Sequence, residues 1–103
     1  MTISRRTIPN IIPMVVEETE FEPMYRVIIH NDDVTPMDFV ISILERIFFI
    51  NATDALEIMF TAHYSGAAYV QSLPKQEAQN RIGRAHFAAG LEDYPLSFSM
   101  EPE

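Results

Sequence analysis

The sequence predicts an α+β fold in which three helices pack on one face of a small three-stranded antiparallel sheet. Two apolar patterns succeed each other along the chain: strict alternation, which is typical of strands, and recurrence every three or four residues, which is typical of helices. Their order is strand, helix, helix, strand, helix, strand (β-α-α-β-α-β). The 103 residues are enough for one domain with one core.

The first strand and the first helix flank a polar junction. Apolar side chains alternate over residues 25–29 and predict a strand. Residues 35–38, Thr-Pro-Met-Asp, have the form of a capping box, so we expect Thr35 to cap a helix that runs to about Phe49. The inner face of this helix is expected at Val40, Ile43, Leu44, Ile47 and Phe48.

The bounds of the remaining elements are predicted from residues that are typical of helix starts and helix ends. Asn51 is expected to cap the second helix and Gly66 to end it. The other elements are expected at residues 68–72 (strand), 75–89 (third helix, opened near Pro74 and closed by Gly90) and 96–100 (strand).

Composition excludes several classes of function. The formal net charge is −8, and the few Lys and Arg residues are scattered, which argues against nucleic-acid binding. The chain has no cysteine, so disulfides, thiolate metal sites and a cysteine nucleophile are excluded. The apolar stretch after Arg5 and Arg6 is broken by prolines, and no run reaches the length of a membrane helix. We therefore expect no export signal and no membrane partner.

Asn31, Asp32 and Asp33 lie between the first strand and the first helix, and three interpretations compete for them. Asn and Asp favour turns because their side chains bond the nearby backbone. Next to a helix N-terminus the acids should stay ionised, which would make them a receptor for an ammonium group. The third interpretation, a small metal-dependent hydrolase, would use ligand types found at His30, Asp32, Asp33 and His63, but their spacing matches no recognised motif.

Three stretches together resemble the ClpS family, the adaptors of the Clp protease. They are YRVIIHNDDVTPMDFV, ALEIMFTAHYSG and PLSFSMEPE, and the resemblance covers residues 24–101. It implies the α+β fold described above, no catalytic activity and no cofactor. ClpS-like domains bind proteins whose first residue is bulky and hydrophobic (an N-degron). They deliver these proteins to a hexameric AAA+ unfoldase, ClpA or ClpC, for degradation by ClpP, in the bacterial cytoplasm or the plastid stroma.

The resemblance also implies roles for individual residues. Asn31, Asp32 and His63 would hold the α-amino group of the substrate. Met37 would be the gate of the side-chain pocket, and Gln76 and Arg81 would belong to the face that docks on the unfoldase. The residues expected to line the pocket are Thr35, Met37, Val40, Met59, Ala62 and Leu96.

The resemblance divides the chain into two parts. Residues 1–23, with Pro9, Pro13 and Pro23, would form a flexible N-terminal extension that engages the unfoldase during delivery. Residues 24–103 would form the N-degron-binding core domain.

Several positions depart from the family pattern. Ala62 stands where Val is usual and should widen the pocket, and Val34 stands where an aromatic residue is common. Pro74, Gln76 and Arg81 differ from the residues expected at the start of the third helix. These departures leave open an alternative function, a diverged ClpS-like modulator that binds the unfoldase without N-degron selectivity.

Overall fold

A computed structural model describes residues 22–103 and confirms the predicted fold class and element order. The elements are β1 (Met24–His30), α1 (Met37–Arg46), α2 (Ala52–Ser65), β2 (Ala67–Pro74), α3 (Lys75–Leu91) and β3 (Ser97–Pro102).

The sheet has the order β2-β1-β3, and both pairings are antiparallel. The central strand β1 buries Val27 and Ile29 on the face that the helices cover. Val27 pairs with Gln71 and Ile28 with Tyr69, so Val70 is an extra residue that forms a bulge in β2. The helices supply the second layer because a three-stranded sheet must cover its apolar face.

The core lies between the sheet and the three helices. Phe48 is fully buried just after α1, and its ring stacks on that of Phe98 in β3 at a centroid distance of 4.9 Å. Leu44 of α1 and Ala55 of α2 are also fully buried. On α3 the buried stripe is Ala78, Ile82, Ala85 and Ala89, as its apolar spacing predicts.

The two ends of α1 differ from the prediction. Pro36, not Thr35, occupies the N-cap and makes no side-chain cap. Thr35 was wrongly predicted as the cap: it lies one residue before the N-cap position, and its hydroxyl donates to the Asp32 carboxylate. The helix ends at Arg46, before the predicted Phe49, which adopts a left-handed φ of 56° and so cannot continue it.

Helix α2 has both predicted ends, whereas α3 has the predicted start, at Lys75 after Pro74, but not the predicted end. The Asn51 side chain accepts a hydrogen bond from the Asp54 N–H, and Gly66 ends α2 with a φ of 94°. Helix α3 continues through Gly90 to Leu91, so Gly90 was wrongly predicted as its stop.

The chain leaves α3 through a left-handed Asp93, with a φ of 60°. The Tyr94 N–H donates to the Ala89 carbonyl, and the Asp93 N–H donates to the Gly90 carbonyl. This pair of bonds is a Schellman motif, which satisfies the last carbonyls of the helix without a glycine at the left-handed position.

The predicted flexible extension, residues 1–23, lies outside the described residues except at its end. There the Pro23 carbonyl accepts a hydrogen bond from the Lys75 N–H at the start of α3. Within residues 22–103, no helix has both the length and the apolar character needed to cross a membrane.

Two adjacent phenylalanines test the placement of the core. Phe48 is buried, whereas Phe49 is 68 % exposed and has the Arg81 guanidinium over its ring. Phe48→Ala should lower the free energy of unfolding by about 3–5 kcal/mol, because it leaves a cavity against Phe98. Phe49→Ala should lower it by about 1 kcal/mol or less, the value of an exposed cation–π contact. Urea unfolding of both variants measures the difference, and equal losses would contradict this placement of the core.

Candidate N-terminal-residue binding site

The loop between β1 and α1 is organised by the carboxylate of Asp32. Its Oδ1 accepts hydrogen bonds from the backbone N–H groups of Val34, at 2.9 Å, and Thr35, at 2.6 Å. Its Oδ2 accepts a hydrogen bond from the Thr35 hydroxyl at 2.9 Å. The turn interpretation of this acid therefore describes its structural role.

The hydrogen bonds of the turn do not use every acceptor position of the Asp32 carboxylate. An ionised carboxylate has about four lone-pair positions, two on each oxygen. Two are used on Oδ1 and one on Oδ2, so Oδ2 keeps one acceptor position. Because three donors already fix the group, a further donor would meet an oriented acceptor that carries a negative charge.

The same loop is joined to the end of α2. The backbone N–H of Asn31 donates to the Gly66 carbonyl at 2.9 Å. Gly66 is the left-handed residue that stops α2, so the helix end and the loop are held together. The side chain of Asn31 is exposed and takes no part in this bond.

A cavity of about 270 Å³ opens between this loop, the start of α1 and the end of α2. It brings together every residue predicted to hold an amino group and every residue predicted to line the pocket. Those residues are Asn31, Asp32, Thr35, Met37, Val40, Met59, Ala62, His63 and Leu96.

The cavity is polar at its mouth and apolar at its base. Val40, Met59 and Leu96 are buried, which places them at the base. Met37, by contrast, is 47 % exposed and lies at the rim. A ligand with one bulky apolar group beside one cationic group would match this division.

His63 reaches the cavity from the last turn of α2. Its ring is exposed and meets the Tyr64 ring edge to face, with centroids 4.9 Å apart.

The four side chains considered as metal ligands do not form a metal site. His30 lines the cavity, but its Nε2 is 2.6 Å from the Ser99 hydroxyl of β3, to which it is hydrogen-bonded. In the described part of the chain, no three His, Asp or Glu side chains are grouped so that they could hold a metal ion. The hydrolase interpretation therefore has no geometric support in this region.

The two predicted docking residues lie away from the cavity. Gln76 is exposed in the first turn of α3. The Arg81 side chain is only 17 % exposed: its Nε donates to Glu77 at 2.7 Å and its Nη1 to the Gln71 amide oxygen at 3.1 Å. Its guanidinium also lies over the Phe49 ring, at 5.0 Å. Arg81 thus holds α3 to β2 and to the chain that follows α1.

Two lining residues, Ile29 and Pro36, were not predicted. Ile29 was assigned to the core by its alternation in β1, and the end of that strand would have been the signal for a second role. Pro36 was assigned only to helix initiation.

Comparison with known proteins identifies relatives across this region. Residues 20–99 match the family model described as "ATP-dependent Clp protease adaptor protein ClpS". The ClpS adapter protein of Vibrio atlanticus is 39 % identical over 87 residues, which are 82 % of each chain. That of Desulfotalea psychrophila is 42 % identical over 86 residues, which are 84 % of each chain.

A solved structure has the same fold and a bound ligand. It is the structure of Agrobacterium tumefaciens ClpS2 bound to L-phenylalaninamide, and it superposes with a TM-score of 0.76. The sequence identity is 32 %, and the match covers 80 % of this chain and 99 % of that one.

Substituting the neighbouring acids Asp32 and Asp33 one at a time distinguishes the hydrogen bonds that order the loop from the effect of a negative charge in it. Asp32→Ala removes the acceptor of three hydrogen bonds, so it should lower the free energy of unfolding by about 1–3 kcal/mol. Asp33→Ala removes an exposed carboxylate that accepts no hydrogen bond from residues 22–103, so its effect should stay within about 0.5 kcal/mol. Urea unfolding checks both values, and an Asp32 variant as stable as the parent would show that the turn does not depend on this carboxylate.

Proposed function

The chain belongs to the ClpS family of ATP-dependent Clp protease adaptor proteins, and we propose that it recognises proteins by a bulky hydrophobic N-terminal residue. Members of this family are adaptors and not enzymes. The observation that carries the proposal is the cavity of about 270 Å³, which joins amide, carboxylate and imidazole groups at its mouth to an apolar base.

A free α-amino group fits the mouth of the cavity. An ammonium group offers three N–H donors. Asn31, Asp32 and His63 offer a matching set of acceptors: an amide oxygen, the free position on Oδ2 and a neutral imidazole nitrogen. Only the first residue of a protein carries such a donor next to its own side chain, so the site would select N-termini.

A bulky first side chain would supply much of the affinity. Burying a Leu or Phe side chain at the apolar base should contribute about 1.5–3 kcal/mol. Each hydrogen bond between the ammonium and the site should add about 1.5–3 kcal/mol because one partner is charged. After the cost of association, a dissociation constant on the order of micromolar is expected.

The ligand of the Agrobacterium tumefaciens structure supports this division of labour. L-phenylalaninamide combines a free amino group with a benzyl side chain and has no second residue. A ligand of this kind needs only the mouth and the base of the cavity. We therefore propose that this chain takes a first residue of the same chemical class.

Delivery to a ClpA- or ClpC-type unfoldase is the second half of the proposal. The exposed Gln76 remains available for docking, whereas Arg81 is engaged within the domain. We propose that docking uses the surface around Gln76 and that residues 1–23 take part in delivery. The relatives are bacterial proteins, so we place the partnership in a bacterial cytoplasm.

Titration of peptides tests recognition directly. A labelled peptide that begins with Phe should bind, whereas the same peptide with an acetylated N-terminus should bind at least about tenfold more weakly, because acetylation removes the charge that Asp32 receives. Fluorescence anisotropy gives both dissociation constants. Equal affinity for the two peptides would contradict the proposed ammonium site. If neither peptide bound, the alternative function, a ClpS-like modulator without N-degron selectivity, would be favoured.

Asn31→Ala should weaken the contact with the ammonium group without changing the stability of the fold. Its backbone N–H still bonds Gly66, so stability should not change, while the lost side-chain acceptor should weaken Phe-peptide binding about tenfold or more. The matched control is Gln76→Ala, which removes an exposed amide outside the cavity and should leave the dissociation constant unchanged. If the two variants bound equally well, Asn31 would have no part in recognition.

The size of the residue at position 62 should set the preference for the first side chain. Ala62 is buried in the cavity wall, so Ala62→Val adds two methyl groups to a confined space. We expect binding of Phe- and Trp-initiated peptides to weaken more than binding of a Leu-initiated peptide. The ratio of the dissociation constants measures this effect, and an unchanged ratio would mean that Ala62 does not shape the pocket.

A further inference from the structure

A row of exposed apolar side chains runs along α2 beside the binding cavity. Leu56, Phe60 and Tyr64 follow each other at intervals of four residues, so they lie along one side of the helix. Their exposed fractions are 44 %, 39 % and 79 %. The rings of Phe60 and Tyr64 are stacked, with centroids 6.2 Å apart. We call this row the α2 ridge.

The α2 ridge adjoins the wall of the cavity. Met59 and His63 line the cavity, and residues three and four apart on a helix are neighbours on its surface. Leu56 is such a neighbour of Met59, and Phe60 is such a neighbour of His63. The Tyr64 ring meets the His63 ring edge to face, with centroids 4.9 Å apart. The ridge therefore begins at the mouth of the cavity, where His63 would hold an amino group.

A protein bound by its first residue has to leave the cavity across the rim. The loop between β1 and α1 presents the acids Asp32 and Asp33 at this rim. The C-terminal end of α2 is joined to the same loop, since the Asn31 N–H donates to the Gly66 carbonyl. The exposed apolar surface that leads away from the loop is the α2 ridge, which runs towards the N-terminal end of the helix.

The acids of α2 lie on another side of the helix. Asp54 and Glu57 line a second cavity, together with Ile58 and Thr61 of the same helix. From Ile58 to Ser65 the sequence contains no Asp, Glu, Lys or Arg. A charged side chain covered by this part of the helix would find no partner in it, which is unfavourable. The ridge therefore suits apolar side chains.

We propose that the α2 ridge binds the residues that follow the first one in a bound N-terminal segment, and that it favours large apolar side chains at the third and fifth positions. The inference rests on the proposed recognition of N-terminal residues. In an extended peptide, alternate side chains point to the same side. Because the first side chain points into the cavity, the third and the fifth face the domain.

The spacing of the ridge matches that of an extended peptide. The four residues from Phe60 to Leu56 correspond to a step of about 6 Å along the helix axis. Alternate side chains of an extended peptide are about 6.6–7 Å apart. When the peptide runs antiparallel to α2 from His63, its third side chain lies over Phe60, beside Tyr64, and its fifth lies over Leu56.

Titration of three peptides that begin with Phe tests the ridge. At positions 2–5 the first peptide has only Ser, the second has Leu at positions 3 and 5, and the third has Leu at positions 2 and 4. The second and third have the same composition, so general hydrophobicity does not distinguish them. The second should bind about three- to tenfold more tightly than either of the others, because two side chains become partly buried.

Variants of the ridge locate the contact. Leu56→Ser and Phe60→Ser should each reduce the ratio of the dissociation constants of the two Leu-containing peptides towards one. Because the ratio is taken within one variant, it does not depend on the fraction of the protein that is folded. The matched control is Phe87→Ser, which removes an exposed aromatic side chain from α3 and should leave the ratio unchanged.

The outcomes distinguish this inference from the recognition of N-terminal residues. If the Ser peptide binds and the peptide with Leu at positions 3 and 5 has no advantage, the ridge takes no part and only this inference is overturned. A preference that survives both Leu56→Ser and Phe60→Ser would also overturn it. If none of the three peptides binds, the proposed recognition of N-terminal residues fails, and this inference fails with it.

Discussion

The geometry of the cavity depends on the carboxylate of Asp32. It ties the backbone of Val34 and Thr35 and the Thr35 hydroxyl into one turn. That turn delivers the chain from the central strand β1 to Pro36, which starts α1, while the Asn31 N–H joins the same loop to the end of α2. Three elements therefore meet within a few residues. Since Asp32 also lines the cavity, order in the loop and an acid at the cavity come from one residue.

Local signals predicted the fold well where no second local interaction competed with them. Asn51 and Gly66 set the ends of α2 as their types predict, because capping there uses only neighbouring backbone. Thr35 and Gly90 are equally good local signals, and both misled. Thr35 belongs to the turn that Asp32 orders, one residue before the N-cap of α1, and a Schellman motif with Asp93 closes α3 after Gly90. A sequence pattern does not reveal which partner wins such a competition.

Some residues of the site could be predicted from the sequence more directly than others. Asn31, Asp32 and Met37 belong to one stretch of chain, so their proximity follows from the sequence itself. His63 and Leu96 are distant in sequence. His63 was grouped with the loop by the metal interpretation and by the resemblance to the ClpS family, and Leu96 by the resemblance alone, before the structure placed both at one cavity. Ile29 was left out because a buried position in a strand also satisfies the requirements of the core.

Arg81 shows the opposite case, a residue whose type suggested the surface and whose contacts lie inside the domain. Its guanidinium joins Glu77, Gln71 and Phe49, which lie in three different parts of the chain. An arginine held in this way presents little charge to a partner, because Nε and Nη1 already donate within the domain and the side chain is largely covered. Of the other cations of α3, Lys75 lies over the Tyr25 ring at the start of the helix, and Arg84 is exposed and forms no ion pair within residues 22–103. The mouth of the cavity, by contrast, is lined by Asp32 and Asp33 and by no Lys or Arg, which suits it to an ammonium group.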